Sequence, residues 1–150
     1  MGEYGQIMKI LLDVAENRLI FNASLLIPRL GLRPLKFIVD TGSPKTFIGA
    51  TDSIKFGINQ YIQEAEEKDK IVMGKTEMSL GILKNLKMYT KSDENKLITF
   101  EIPRLGAVQE PLMIDKTRQV PLPNIIGLDF IKESGLNLHY YSKENVAFFD

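Results

Sequence analysis

Apolar residues in this chain come in short runs separated by polar, glycine- or proline-bearing turns, a rhythm that predicts strands rather than long helices. Met8 to Leu12 and Arg18 to Ile27 read as two strands around a polar turn at Glu16-Asn17. Turn signals fill Pro28 to Pro34, so Leu35 to Val39 is expected to return as the next strand of a hairpin. Thr51 to Gly57 has the marks of a short helix, with Thr51 or Asp52 as cap and a terminating glycine. Glu64 to Lys70 is a charge run, expected as a solvated loop. Ile71-Val72-Met73 and Glu77 to Leu80 flank Gly74-Lys75-Thr76 as a hairpin. Ile82 to Thr90 and Lys96 to Ile102 pair across the polar stretch Lys91 to Asn95. Prolines punctuate Pro103 to Pro123, where Leu105 to Val108 and Pro111 to Ile114 are the candidate strands. Ile125 to Gly135 reads as a strand end leading into a short helix that Gly135 stops. Leu136 to Tyr140 and Val146 to Phe149 form a closing hairpin. Many short strands with one or two short helices predict a mostly β protein, folded as a closed, mostly antiparallel β-barrel.

Composition narrows the chemistry. The 150 residues are expected to form one domain, 1–150, with 44% hydrophobic and 25% charged residues, as in ordinary soluble proteins. Nineteen basic residues balance nineteen acidic ones, so charge offers no argument for nucleic acid or a membrane as partner. The apolar runs are too short to span a bilayer, and Met1-Gly2-Glu3-Tyr4 lacks the features of a secretory signal. With no cysteine there is no disulfide framework or thiol nucleophile, and the expectation is a cytoplasmic protein. The single histidine, His139, lies in a strand-like stretch, which argues against a Ser-His-Asp triad or a histidine-rich metal centre. No glycine-rich phosphate loop is present, and no metal or cofactor is expected. Carboxylate chemistry remains.

The most informative stretch is Phe37-Ile38-Val39-Asp40-Thr41-Gly42-Ser43. A buried strand here delivers one aspartate into a Thr-Gly turn, holding a carboxylate beside a hydroxyl and bare backbone N–H groups. An aspartate that merely caps a turn is the plainer reading of such a tripeptide. Its context favours more: Thr46-Phe47-Ile48 resumes an apolar run, and Asn124-Ile125-Ile126-Gly127 later supplies an apolar pair closed by glycine. Together these segments resemble the active-site loop and the hydrophobic-hydrophobic-Gly segment of aspartic proteases. With one Asp-Thr-Gly, the resemblance is to the single-lobed, retroviral-type (retropepsin) branch. Gly127-Leu128-Asp129-Phe130-Ile131 and the C-terminal hairpin look most like the cellular Ddi1-type protease domains.

This resemblance, covering about Arg18 to Phe149, implies the acid-protease type of barrel and a homodimer with one shared active site. Asp40 from each copy would form the catalytic dyad, Thr41 would hydrogen-bond across the two-fold axis, and Gly42 would let the backbone approach the carboxylate. Ile125 and Ile126 would pack beneath the loop, Gly127 would allow their close approach, and all three, with Ser43, would border the substrate. A flap is implied at Met73, Gly74, Lys75 and Thr76, poorer in glycine than family flaps. Ser43 stands where many viral enzymes carry alanine; a hydroxyl donating to Asp40 would favour its ionised form, predicting an acidic pH optimum. Viral relatives usually pair an acidic residue after the turn with an arginine after the Ile-Ile-Gly. Here Pro44 and Leu128 occupy those positions, and a Thr46–Asp129 hydrogen bond is expected as the substitute. Phe47, Ile48, Met73 and Ile125 are candidates for apolar subsites, with core packing the commoner role for such residues. The expected activity is aspartic endopeptidase cleavage of extended peptide or protein substrates. The alternative is a non-enzymatic dimeric peptide-binding module on the same fold.

Overall fold

The computed structural model describes residues 8–62, 69–73, 76–108, 112–113, 117–120 and 122–150. The first strands are β1 (Ile10–Ala15), β2 (Arg18–Ile27), β3 (Gly31–Val39) and β4 (Phe47–Ile48), followed by α1 (Ala50–Lys55) and a 3-10 turn over Ile58–Tyr61. Next come β5 (Lys70–Met73), β6 (Thr76–Ser79), β7 (Gly81–Lys91), β8 (Leu97–Ala107), β9 (Leu112–Met113) and β10 (Gln119–Val120). The chain closes with β11 (Asn124–Ile126), α2 (Leu128–Glu133), β12 (Leu138–Tyr141) and β13 (Val146–Phe149). No helix among the described residues is long and apolar enough to cross a membrane.

One sheet runs β12-β13-β1-β2-β3-β11-β4-β8-β7, and a further β2–β7 pairing closes β2, β3, β11, β4, β8 and β7 into a six-stranded barrel. The mostly β, closed-barrel expectation therefore holds. Most ladders are antiparallel, but β3–β11 and β4–β8 are parallel. Alternation within the strands turns one face inward: in β2, Phe21, Ala23, Leu25 and Ile27 are buried while Asn22 and Leu26 are exposed. Phe21, fully buried, is ringed by Phe37, Phe130 and Phe149 at centroid distances of 6.4, 6.0 and 5.8 Å, within the range of favourable aromatic pairs. A second apolar cluster holds Phe47, Ile71, Leu80, Ile82 and Ile125, with Ile38 packed against it.

Several expectations are revised. The strand expected at Leu105 to Val108 is the end of β8, which runs through Pro103. Proline has no N–H for the ladder, and the register loses its pair there: Lys84 faces Arg104 and Leu86 faces Ile102, while Asn85 between them has φ 58°. Within the strand expected at Pro111 to Ile114, Leu112–Met113 is a strand paired with Gln119–Val120, and positions 111 and 114 lie outside the described residues. The cap of α1 is Gly49, with no side-chain hydrogen bond, in place of Thr51 or Asp52. Of the charge run Glu64 to Lys70, residues 64–68 lie outside the described residues, while Asp69 is buried and Lys70 begins β5, so the end of the run is not a solvated loop.

Candidate active site

The Asp40 loop connects two strands that do not pair with each other. β11 is inserted between them, parallel to β3 with Ile125 opposite Ile38 and Ile126 opposite Val39, and antiparallel to β4 with Ile125 opposite Phe47. Both legs of the loop are thus hydrogen-bonded to one short buried strand. The Asp40 N–H donates to the Ile126 carbonyl at 2.9 Å, which fixes the aspartate where β3 ends. The Gly42 N–H donates to Asp40 Oδ1 at 2.9 Å, and the Ser43 N–H to the Asp40 carbonyl at 3.0 Å. Asp40, Thr41 and Gly42 are exposed at the loop's crest. A Cβ on Gly42 would lie 3.1 Å from Asp40 Oδ1, so the bare backbone belongs to the way this carboxylate is held.

Beneath the crest, a polar clamp joins loop and helix. Thr46 Oγ1 accepts from the Gly127 N–H at 2.8 Å and donates to Asp129 Oδ1 at 2.7 Å; the same carboxylate oxygen accepts from the Phe130 N–H at 2.7 Å. The Thr46–Asp129 bond expected from sequence is therefore present. The Leu128 N–H reaches the Ser43 carbonyl at 2.8 Å. Thr46→Val should cost about 2 kcal/mol, because it strands a buried N–H and removes a donor from a carboxylate. Urea titration would read this as a lower midpoint at unchanged slope; Asp129→Asn, which keeps a carbonyl acceptor, should cost less.

The Ser43 hydroxyl departs from expectation. It donates to the Lys45 carbonyl at 2.7 Å rather than to Asp40, and so braces the loop's outer turn. Its proposed effect on the carboxylate, and the acidic optimum derived from it, lose their basis.

Ile125, Ile126 and Gly127 are enclosed rather than open to a substrate: Ile125 is 9% exposed and Ile126 0%. They form the floor that supports the loop. Phe47 and Ile48, at 2% and 0%, are likewise core residues. Of the expected flap, Met73 and Thr76 face each other as the last pair of the β5–β6 ladder, and Gly74 and Lys75 lie outside the described residues. Among the described residues, that two-stranded sheet makes no ladder with the barrel. Its root is held by buried Ile71, by the Leu80 N–H donating to the Asp69 carbonyl at 2.9 Å, and by Arg104 on Asp69 Oδ2 at 2.8 Å. Asp69 is 5% exposed, so the guanidinium neutralises a carboxylate that burial would otherwise penalise.

A scan against protein-family models finds none that matches this chain, and comparison with curated proteins yields no match.

Asn124 is a positioning residue that no motif singled out. At 5% exposure its Oδ1 accepts from the Gly49 N–H at 2.7 Å, while Nδ2 donates to the Lys36 carbonyl at 3.0 Å and to Asp52 Oδ2 at 2.6 Å. One side chain therefore ties β3, the start of α1 and β11 together behind the loop. The available signal was an amide immediately before two buried isoleucines, since a buried polar group needs partners.

Proposed function

We propose that this chain is half of an aspartic endopeptidase, in which two copies bring their Asp40 carboxylates together on a two-fold axis. The observation that carries the reading is the exposed Asp40-Thr41-Gly42 crest on a rigid, buried base. Orienting a carboxylate so tightly while leaving it open to solvent suits a group that must meet a second carboxylate and a substrate. Among the described residues the outer margin of β12 has no strand partner, which supports a dimer as well. Asn137 and Asp150 exchange both backbone hydrogen bonds, at 3.0 and 3.1 Å, so by antiparallel alternation the Leu138 and Tyr140 backbone groups face away from β13. β12 ends the sheet order, and Tyr140 and Tyr141 are 52% and 50% exposed. Uncovered edges of this kind invite pairing with another chain.

The chemistry follows from two like charges at short range: the pair holds one proton between its members. The ionised Asp40 takes a proton from a water molecule as the water oxygen attacks the peptide carbonyl carbon. The neutral Asp40 gives its proton to the carbonyl oxygen, forming a gem-diol. Collapse of the gem-diol breaks the C–N bond, with a proton delivered to the departing nitrogen and another returned to the pair. An extended substrate would lie over the crest, covered by the β5–β6 hairpin.

A shared site makes activity depend on assembly. Activity per chain should fall on dilution through the dimer's dissociation range, in step with the dimer fraction from sedimentation; constant activity in a dilute monomer would refute the shared site. Ser43→Ala should leave the pH–rate profile in place, because the hydroxyl serves Lys45; a shift of the profile would return that hydroxyl to the Asp40 carboxylate.

A further inference from the structure

A groove of about 1100 Å³ lies apart from the Asp40 loop, on the outward face of the β2–β3 ribbon. Its floor follows the register: Asn22 opposite Lys36, Ser24 opposite Pro34, and Leu26 opposite Leu32. Asp52, Lys55 and Phe56, from α1 and its C-cap, stand along one side, and Tyr89 to Lys91 with Leu97 along the other. Two features distinguish this surface. Leu11, Leu26, Leu32 and Leu97 all line it and are 56%, 37%, 52% and 65% exposed, an unusual gathering of large apolar side chains in water. Lys36, Lys55 and Lys91 also line it, and none of them pairs with a carboxylate among the described residues. The groove's own carboxylate, Asp52, is engaged by the Asn124 amide at 2.6 Å. Phe56 carries the Lys55 ammonium at 5.4 Å, holding that charge beside the groove.

We propose that this groove docks an acidic, leucine-bearing segment of a partner protein. Charge complementarity selects the occupant: carboxylates flanking apolar anchors would meet the lysines while the anchors cover the exposed leucines. The inference does not depend on the protease reading.

The test is selection from an unbiased displayed-peptide library on the wild-type protein. Fluorescence anisotropy of the best-enriched peptide then follows, against Lys36→Glu/Lys55→Glu/Lys91→Glu and, separately, Leu32→Glu. All four side chains are exposed, so both variants should retain the wild-type fold, checked by circular dichroism and thermal melting. The expected consensus joins Asp or Glu to Leu, Ile or Phe, with affinity falling about tenfold or more in the charge-reversed variant and falling as NaCl rises. An absent, uncharged or basic consensus would overturn the proposal, as would affinities unchanged in both variants. Self-association lost in Leu32→Glu would assign the groove to a second copy, and saturation by a fatty-acid anion with no peptide enrichment would assign it to a small amphiphile; either result overturns the proposal.

Discussion

Replacing Asp40 with asparagine should reduce peptide cleavage by at least roughly 10²–10⁴-fold, the usual contribution of a general acid–base pair, while leaving fold and dimer intact. Asparagine keeps a side-chain oxygen that can accept the Gly42 N–H in the place of Oδ1, so the crest retains its geometry. It can neither take a proton from water nor share one with its partner, and in a homodimer both positions change at once. The loss should appear in kcat with little change in substrate binding, since the amide still occupies the carboxylate's place. Activity within about threefold of wild type would remove Asp40 from the chemistry, because so small a change lies far below a general acid–base contribution.

A large stability effect is expected at Gly127. A Cβ there would stand 2.3 Å from the Lys45 carbonyl oxygen, 2.6 Å from its carbon and 2.7 Å from the Ser43 carbonyl oxygen. All three are backbone atoms, so no rotamer change relieves the collision. To admit even alanine, α2 must move off the loop, weakening the Gly127–Thr46 and Leu128–Ser43 hydrogen bonds. Gly127→Ala should therefore cost about 3 kcal/mol from overpacking and lost hydrogen bonds, lowering Tm by roughly 6–12 °C. Gly57 is the control. It has φ 64° and nothing within 4 Å of its would-be Cβ, so Gly57→Ala carries only the left-handed backbone cost of about 1–2 kcal/mol. Equal losses at the two positions would contradict the backbone-contact explanation for Gly127.

Local structure was legible where side chains alone decide it. The alternation in Arg18 to Ile27 marks β2 end to end, the Glu16-Asn17 turn has φ values of 52° and 61°, and Gly135 closes α2 with φ 65°. The Thr46–Asp129 bond could be anticipated because the resemblance left that place without its usual charge pair. What the sequence concealed depends on long-range pairing. Three residues, Asn124 to Ile126, carry too little pattern to reveal that they slot between β3 and β4, which leaves two parallel ladders in a mostly antiparallel barrel. The cap of α1 was missed for a related reason. Asp52 spends its carboxylate on Asn124, and Gly49 packs so close that a Cβ would meet the Leu122 carbonyl oxygen at 1.9 Å. Ser43 had two acceptors within local reach, Asp40 and Lys45, and only the turn's geometry chooses between them. Pro103 read as a strand breaker, yet β8 accommodates it opposite Asn85, where the ladder already lapses.

The most direct test is a mass-spectrometric digest of a mixed peptide pool across a range of pH, with wild type beside Asp40→Asn. The expected result is cleavage by the wild type alone, along a bell-shaped pH profile whose two limbs belong to the Asp40 pair jointly. Intact peptides after incubation with a folded, dimeric wild-type protein would contradict the protease and leave a peptide-binding module on this barrel.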